Sequence, residues 1–95
     1  MITNNVVIKL KERDNETVTK ARNMLLSMKG KIGCLRDISV YTNIRQDGAA
    51  YDILVIAKYD SMKDFDAYIV HPVHVEVSKY IGTVVDSMAA VCYES

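Results

Sequence analysis

Tryptophan is missing from these 95 residues, and proline and phenylalanine occur once each, at Pro72 and Phe65. One proline excludes a proline-rich linker, and four glycines are too few for a low-complexity tract. Charge of one sign is missing as well: twelve basic and twelve acidic side chains cancel, and the basic residues stay dispersed, as at Lys9, Lys11 and Arg13. That leaves no electrostatic footprint for a phosphate backbone or an anionic lipid surface, so neither nucleic acid nor a membrane is expected as a partner. Apolar runs such as Ile53–Ala57 stop far short of the roughly 18 residues that suggest a membrane span. The N-terminus has no basic stretch followed by a long apolar one, so no secretory signal is read and a cytoplasmic protein is expected. The two cysteines, Cys34 and Cys92, form no CxxC pair and have no histidine at zinc-like spacing. Reduced thiols in structural positions are expected, with no metal site.

What is present, 49% apolar and 25% charged residues, describes one soluble globular domain, bounded at residues 2–94. Asn5–Lys11 alternates with a period of two, placing Val6, Ile8 and Leu10 on one face of a first strand and Val7, Lys9 and Lys11 on the other. From Asp14 or Asn15 helical spacing takes over through Val18, Ala21, Leu25 and Met28, with Gly30 placed to end the helix. Leu35–Ile44 and Ala50–Tyr59 read as two strands joined at the turn signal Gln46-Asp47-Gly48, the second apolar enough to be central. Asp60-Ser61 with Asp64 resembles a capping box ahead of a short helix that buries Met62, Phe65 and Ile69. Pro72 interrupts it, and Val73–Ile81 restarts as a helix that Gly82 ends, so the second helical segment is split. Ser87–Tyr93 supplies a last strand.

This order predicts an α+β, ferredoxin-like βαββαβ fold with a four-stranded antiparallel sheet and a split second helix. Helices then cover one sheet face. The other keeps apolar side chains such as Val6, Ile8 or their neighbours, a patch larger than soluble monomers usually expose. A second copy packed sheet to sheet is the economical cover. It gives a homodimeric α/β barrel with a cavity between the sheets for a small hydrophobic or aromatic molecule.

Three stretches carry a resemblance to a known family: Asn5–Lys11, the Asp47-Gly48 turn with Tyr51–Ser61 after it, and above all Tyr68-Ile69-Val70-His71-Pro72-Val73-His74. The last resembles the Y-x-x-H-P-x-H signature of the stress-responsive dimeric α/β-barrel (Dabb) proteins, and the likeness spans essentially the whole chain. It implies a homodimer with a barrel-like core and, for many members, no assigned reaction. One branch closes a linear polyketide by an intramolecular aldol condensation. Carried over from that branch, His74 falls on the catalytic base and Tyr68 on a tyrosine that lines the pocket and helps polarise the substrate. Where the family commonly has a histidine at the start of the first strand, this chain has Asn4, which bonds hydrogen but does not titrate.

Each candidate has a plainer role beside the chemical one. His74 suits a general base or acid, yet a histidine at a helix start can equally cap a backbone group or bond across a dimer. His71 and His74 are three apart, but no carboxylate or cysteine completes a metal set nearer than Glu76, and His71 before Pro72 suits the helix break. Six tyrosines against one phenylalanine are more polar aromatic surface than a dry core needs. Tyr51 and Tyr68 are candidates for a pocket wall, whereas Tyr59 and Tyr80 are expected at the core edge with the hydroxyl in solvent. No Gly-rich phosphate loop or Ser-His-Asp set occurs, and no cofactor is expected. The functional expectation is a small molecule bound by the homodimer, with Asn4, Tyr51 and His71 among the binding residues. The alternative is a cofactor-free cyclase, lyase or monooxygenase that uses His74 with Tyr68.

Overall fold

Alternation in the strands and helical spacing in the helices each produce one apolar side, and these sides meet in a common core. In a computed structural model, which describes residues 1–95, the elements are β1 (Ile2–Leu10), α1 (Asn15–Leu26), β2 (Asp37–Thr42), β3 (Ile53–Tyr59), α2 (Met62–Ile69), α3 (Pro72–Val84) and β4 (Val85–Glu94). All neighbouring strands are antiparallel in the order β2-β3-β1-β4, so the ferredoxin-like arrangement with a split second helix is the one that forms. Ile8 and Leu10 of β1, Ile38 and Val40 of β2, and Ile53, Val55, Ala57 and Tyr59 of β3 pack with Ala21, Leu25, Val77 and Ile81 from the helices.

Residues directly opposite in an antiparallel ladder share a face. Val6 stands opposite Val55 and Ala90, and Ile8 opposite Ile53 and Met88, all on the helix side. The assignment of Val6 and Ile8 to the uncovered face is therefore corrected. Both sides of β1 carry β-branched residues, so alternation separates the faces without saying which one the helices take. The uncovered face instead holds Val7 between Leu54 and Ala89, and Ile56 and Val91 on either side of Asn5. Beyond Val85, β4 is exposed along its length.

Several boundaries also differ from the sequence expectation. α3 continues through Gly82 to Val84, because a helical glycine costs only about 1 kcal/mol and packing of Val77 and Ile81 holds the last turns. Gly30 does adopt a left-handed φ of 80°, but α1 has already ended at Leu26, and Met28 is buried from the turn that follows. β2 and β3 are shorter than expected. They are separated by residues 43–52, a longer connection than the expected residues 45–49, in which Asp47 Oδ1 accepts from the N–H groups of Ala49 and Ala50.

That loop is tied to the sheet by Asp52, which is 2% exposed. Its Oδ2 accepts from the Leu10 N–H at 2.8 Å and its Oδ1 from Arg13 Nε at 2.9 Å. Arg13 in turn donates to the Asp47 and Ala50 carbonyls. One buried carboxylate thus joins the end of β1, the approach to α1 and the β2–β3 loop.

Around α2 the core is aromatic. The Tyr59 ring meets Phe65 and Tyr68 at centroid distances of 5.0 and 5.1 Å. This cluster turns the helix so that Tyr68 is buried and Phe65 half-buried, while Met62 and Ile69, expected inside, are 49% and 44% exposed. Tyr59 is itself completely buried, contrary to the expectation of a hydroxyl in solvent. Burial, reinforced by the Tyr68 hydroxyl, pushes the Tyr59 phenol far above its ordinary value, and burial raises Tyr68 too. Both stay neutral in the folded protein, whereas the unfolded chain ionises them near 10.0. Their contribution to stability is therefore complete below pH 10 and is lost as the pH rises from there toward the folded values. Urea melts at stepped alkaline pH should show a plateau followed by a decline, shallower in Tyr59→Phe. An identical decline in that variant would assign the loss to other groups.

Candidate functional site

The break between α2 and α3 sets the geometry. Proline is tolerated in the first turn of a helix because its missing N–H would have no intrahelical partner there. His71 before it is extended, with φ −66° and ψ 135°, and its Nδ1 accepts from the Val73 N–H at 3.1 Å. His71 therefore serves as the N-cap of α3 and is not among the residues that line the cavity beside Tyr68 and His74.

His74 follows in the first turn of α3. Its Nδ1 lies 2.9 Å from the Ile69 carbonyl oxygen. A carbonyl only accepts, so this bond puts the proton on Nδ1 and leaves the Nε2 lone pair of the neutral ring free. The ring packs on Tyr68 at a centroid distance of 4.3 Å. The Tyr68 hydroxyl points elsewhere and donates to Met28 Sδ at 3.7 Å, a weak acceptor.

Together these groups border a cavity of about 210 Å³ between the sheet and the helices of a single chain. Asn4 and Val6 of β1 and Val55 of β3 form its sheet side, with Leu25, Val77 and Ile81 on the helix side. Met88 of the uncovered β4, 52% exposed, stands at its rim. Asn4, Tyr68 and His74 are thus brought together, but on the helix side of the sheet. The register that turns Val6 inward turns Asn4 inward with it. Tyr51 lies apart. It borders a wider depression of about 410 Å³ with Val7, Tyr41, Asn43 and Leu54.

Two cavity residues escaped the sequence reading. Ser78 sits one turn after His74, and that spacing of four is its only sequence signal. Met28 reads as core filler, which it is, but it also receives the Tyr68 hydrogen bond. Beneath the cavity the Tyr59 hydroxyl is a buried side-chain polar atom with no hydrogen-bond partner, an arrangement that costs about 1–3 kcal/mol. No group of three His, Cys, Asp or Glu side chains is placed to hold a metal ion.

The sequence matches the stress responsive A/B barrel domain, Dabb, over residues 2–95. A search of curated proteins returned no significant match. Among solved structures, a dimeric protein of unknown function with a ferredoxin-like fold from Bacteroides fragilis is 25% identical, with a TM-score of 0.83 over 99% of this chain and 95% of that one. A dimeric ferredoxin-like protein of unknown function from Thermobifida fusca is 20% identical, with a TM-score of 0.86 over 99% and 90% of the two chains. Hydroxynitrile lyase from Passiflora edulis shares the fold at 12% identity, with a TM-score of 0.83 over 97% and 90%. With the family match covering all but the first residue and a ferredoxin-like fold shared with these structures, the chain belongs to the stress responsive A/B barrel domain family.

Proposed function

We propose that this protein is a homodimer that binds a small, partly apolar molecule carrying an oxygen atom in the cavity between sheet and helices. The observation that carries the reading is the Tyr68 hydroxyl, buried at an apolar cavity wall and donating only to a thioether. An oxygen is a far better acceptor than Met28 Sδ, so a ligand oxygen displaces it at a net gain. Asn4 offers a further donor and acceptor, and the remaining wall is largely apolar. The volume of about 210 Å³ is below the roughly 300–1,000 Å³ of drug-sized pockets, which limits the enclosed part to a small ring or short chain. Support for the dimer comes from the uncovered apolar face and from the dimeric Bacteroides fragilis and Thermobifida fusca proteins of the same fold.

Native mass spectrometry of the purified protein tests both parts. The expected spectrum is a dimer with retained mass that is lost in Tyr68→Phe. A monomer would remove the dimer, and a clean dimer that takes up no small oxygenated ring on titration would remove the ligand site.

A second reading has its own observation. With Nδ1 held by the Ile69 carbonyl, His74 presents an unpaired Nε2, the arrangement a general base needs. In that reading the protein is a cofactor-free lyase or cyclase in which His74 takes the proton and Tyr68 donates to the substrate oxygen. Should a substrate be turned over, His74→Ala is expected to lower the rate by about a hundredfold or more while ligand mass is still retained. Equal rates would restrict His74 to a structural role.

A further inference from the structure

Tyr59 carries a hydroxyl for which the fold has no use. The residue is fully buried, its ring lies 5.1 Å from that of Tyr68, and the hydroxyl has no hydrogen-bond partner. Phenylalanine would fill nearly the same space without burying an unpaired donor. The Tyr68 hydroxyl is in the complementary position, since it donates to Met28 Sδ and keeps lone pairs on its oxygen. Burial raises both phenols, and beyond that the Tyr68 hydroxyl makes Tyr59 harder to ionise while the Tyr59 hydroxyl makes Tyr68 easier. No hydrogen bond joins the two hydroxyls in this fold, which leaves the Tyr59 donor unused beside a neighbouring phenol.

We infer that Tyr59 is a positioning residue for Tyr68: when a ligand oxygen draws the Tyr68 proton away from Met28, the Tyr59 hydroxyl donates to the Tyr68 oxygen. The two phenols then act as one donor chain directed at a ligand oxygen that bears negative charge, such as a phenolate or an enolate. The inference rests on the cavity being the binding site. Two physical points support the ligand class. Hydrogen bonds in series polarise one another, and bonds to an ionised acceptor are roughly twice as strong as neutral ones. The enclosed volume also suits a single ring, because an apolar cavity of about 150 Å³ already admits benzene.

The test uses 4-nitrophenol at mildly alkaline pH, where it is ionised, and nitrobenzene as a neutral ring of similar size. Binding of each to the wild type, Tyr59→Phe, Tyr68→Phe and the double variant is measured by titration calorimetry, together with the absorption maximum of bound 4-nitrophenolate. Tyr59→Phe should bind 4-nitrophenolate about tenfold more weakly and nitrobenzene unchanged. The bound phenolate should absorb at longer wavelength than in the wild type, as a weakened hydrogen bond to its oxygen requires. The double variant should be no worse than Tyr68→Phe, because Tyr59 acts only through it. Unchanged 4-nitrophenolate affinity and spectrum in Tyr59→Phe would overturn the donor chain and leave the cavity reading standing. Equal losses for both ligands would overturn it as a change of cavity shape. A wild type that binds neither ligand would overturn the cavity reading and this inference with it. Tyr59→Phe is expected to fold, with a urea midpoint no lower than that of the wild type.

Discussion

Replacing Asp52 by alanine should lower the stability of the folded chain by about 3 kcal/mol, the magnitude seen when one partner of a buried charged pair is removed. The carboxylate is buried, accepts from the Leu10 N–H and from Arg13 Nε, and has no counterpart that could take over. Its removal leaves a backbone donor inside the protein and a partly buried guanidinium with only the Asp47 and Ala50 carbonyls. Domains of this size are stable by roughly 5–15 kcal/mol, so the loss is a large share of the total. In urea the midpoint should fall by roughly 2 M at the slopes usual for small domains. Asp52→Asn keeps the shape and one acceptor and should lose less. If the alanine variant melts within about 0.5 kcal/mol of the wild type, as ordinary surface changes do, Asp52 is not the tie between β1, Arg13 and the loop.

In the proposed dimer, which pairs through the uncovered sheet face, Val91→Glu should produce monomers. Val91 lies on the uncovered face and is 66% exposed in the single chain, so the substitution has little to disturb within one subunit. Against a second sheet it places a carboxylate in an apolar interface, at a desolvation cost of several kcal/mol per ion. Two-fold symmetry brings in the change twice. The dissociation constant should rise by roughly a hundredfold or more, read by sedimentation velocity across a dilution series. Circular dichroism of the same samples should match the wild type. A soluble, unchanged dimer would mean that the subunits meet through another surface.

The alternation of β1, the apolar run of β3 and the His71-Pro72 interruption are local chemistry, so the element order was legible from the residues alone. What was not legible concerns choices made between elements. Val6 and Val7 are the same residue on opposite faces, and only the helices decide which becomes core. That one choice also decided on which side of the sheet Asn4 would stand, and with it the location of the cavity. Tyr59 failed for a related reason: a phenol is compatible with either a wet edge or a dry interior, and the ring contacts with Phe65 and Tyr68 settle it. His74 and Tyr68 were singled out through the resemblance of Tyr68–His74 to the family signature, and the fold brings both to one cavity. Ser78 carries no chemical signature beyond its spacing.

β1 lies between a strand at residues 53–59 and one at residues 85–94, and Ile2 pairs with both Tyr59 and Glu94. During synthesis β1 is the first of the four strands to be made, but one of its edges has no partner until β4, the last of them, emerges. A nascent chain can therefore assemble β1, β2 and β3 while a row of unpaired amides and carbonyls stays bare next to Val7. Bare edges recruit foreign strands, and pairing distant segments is slow. The time a ribosome takes to translate α3 and β4 is thus an interval in which this domain is exposed to misassociation and to capture by chaperones.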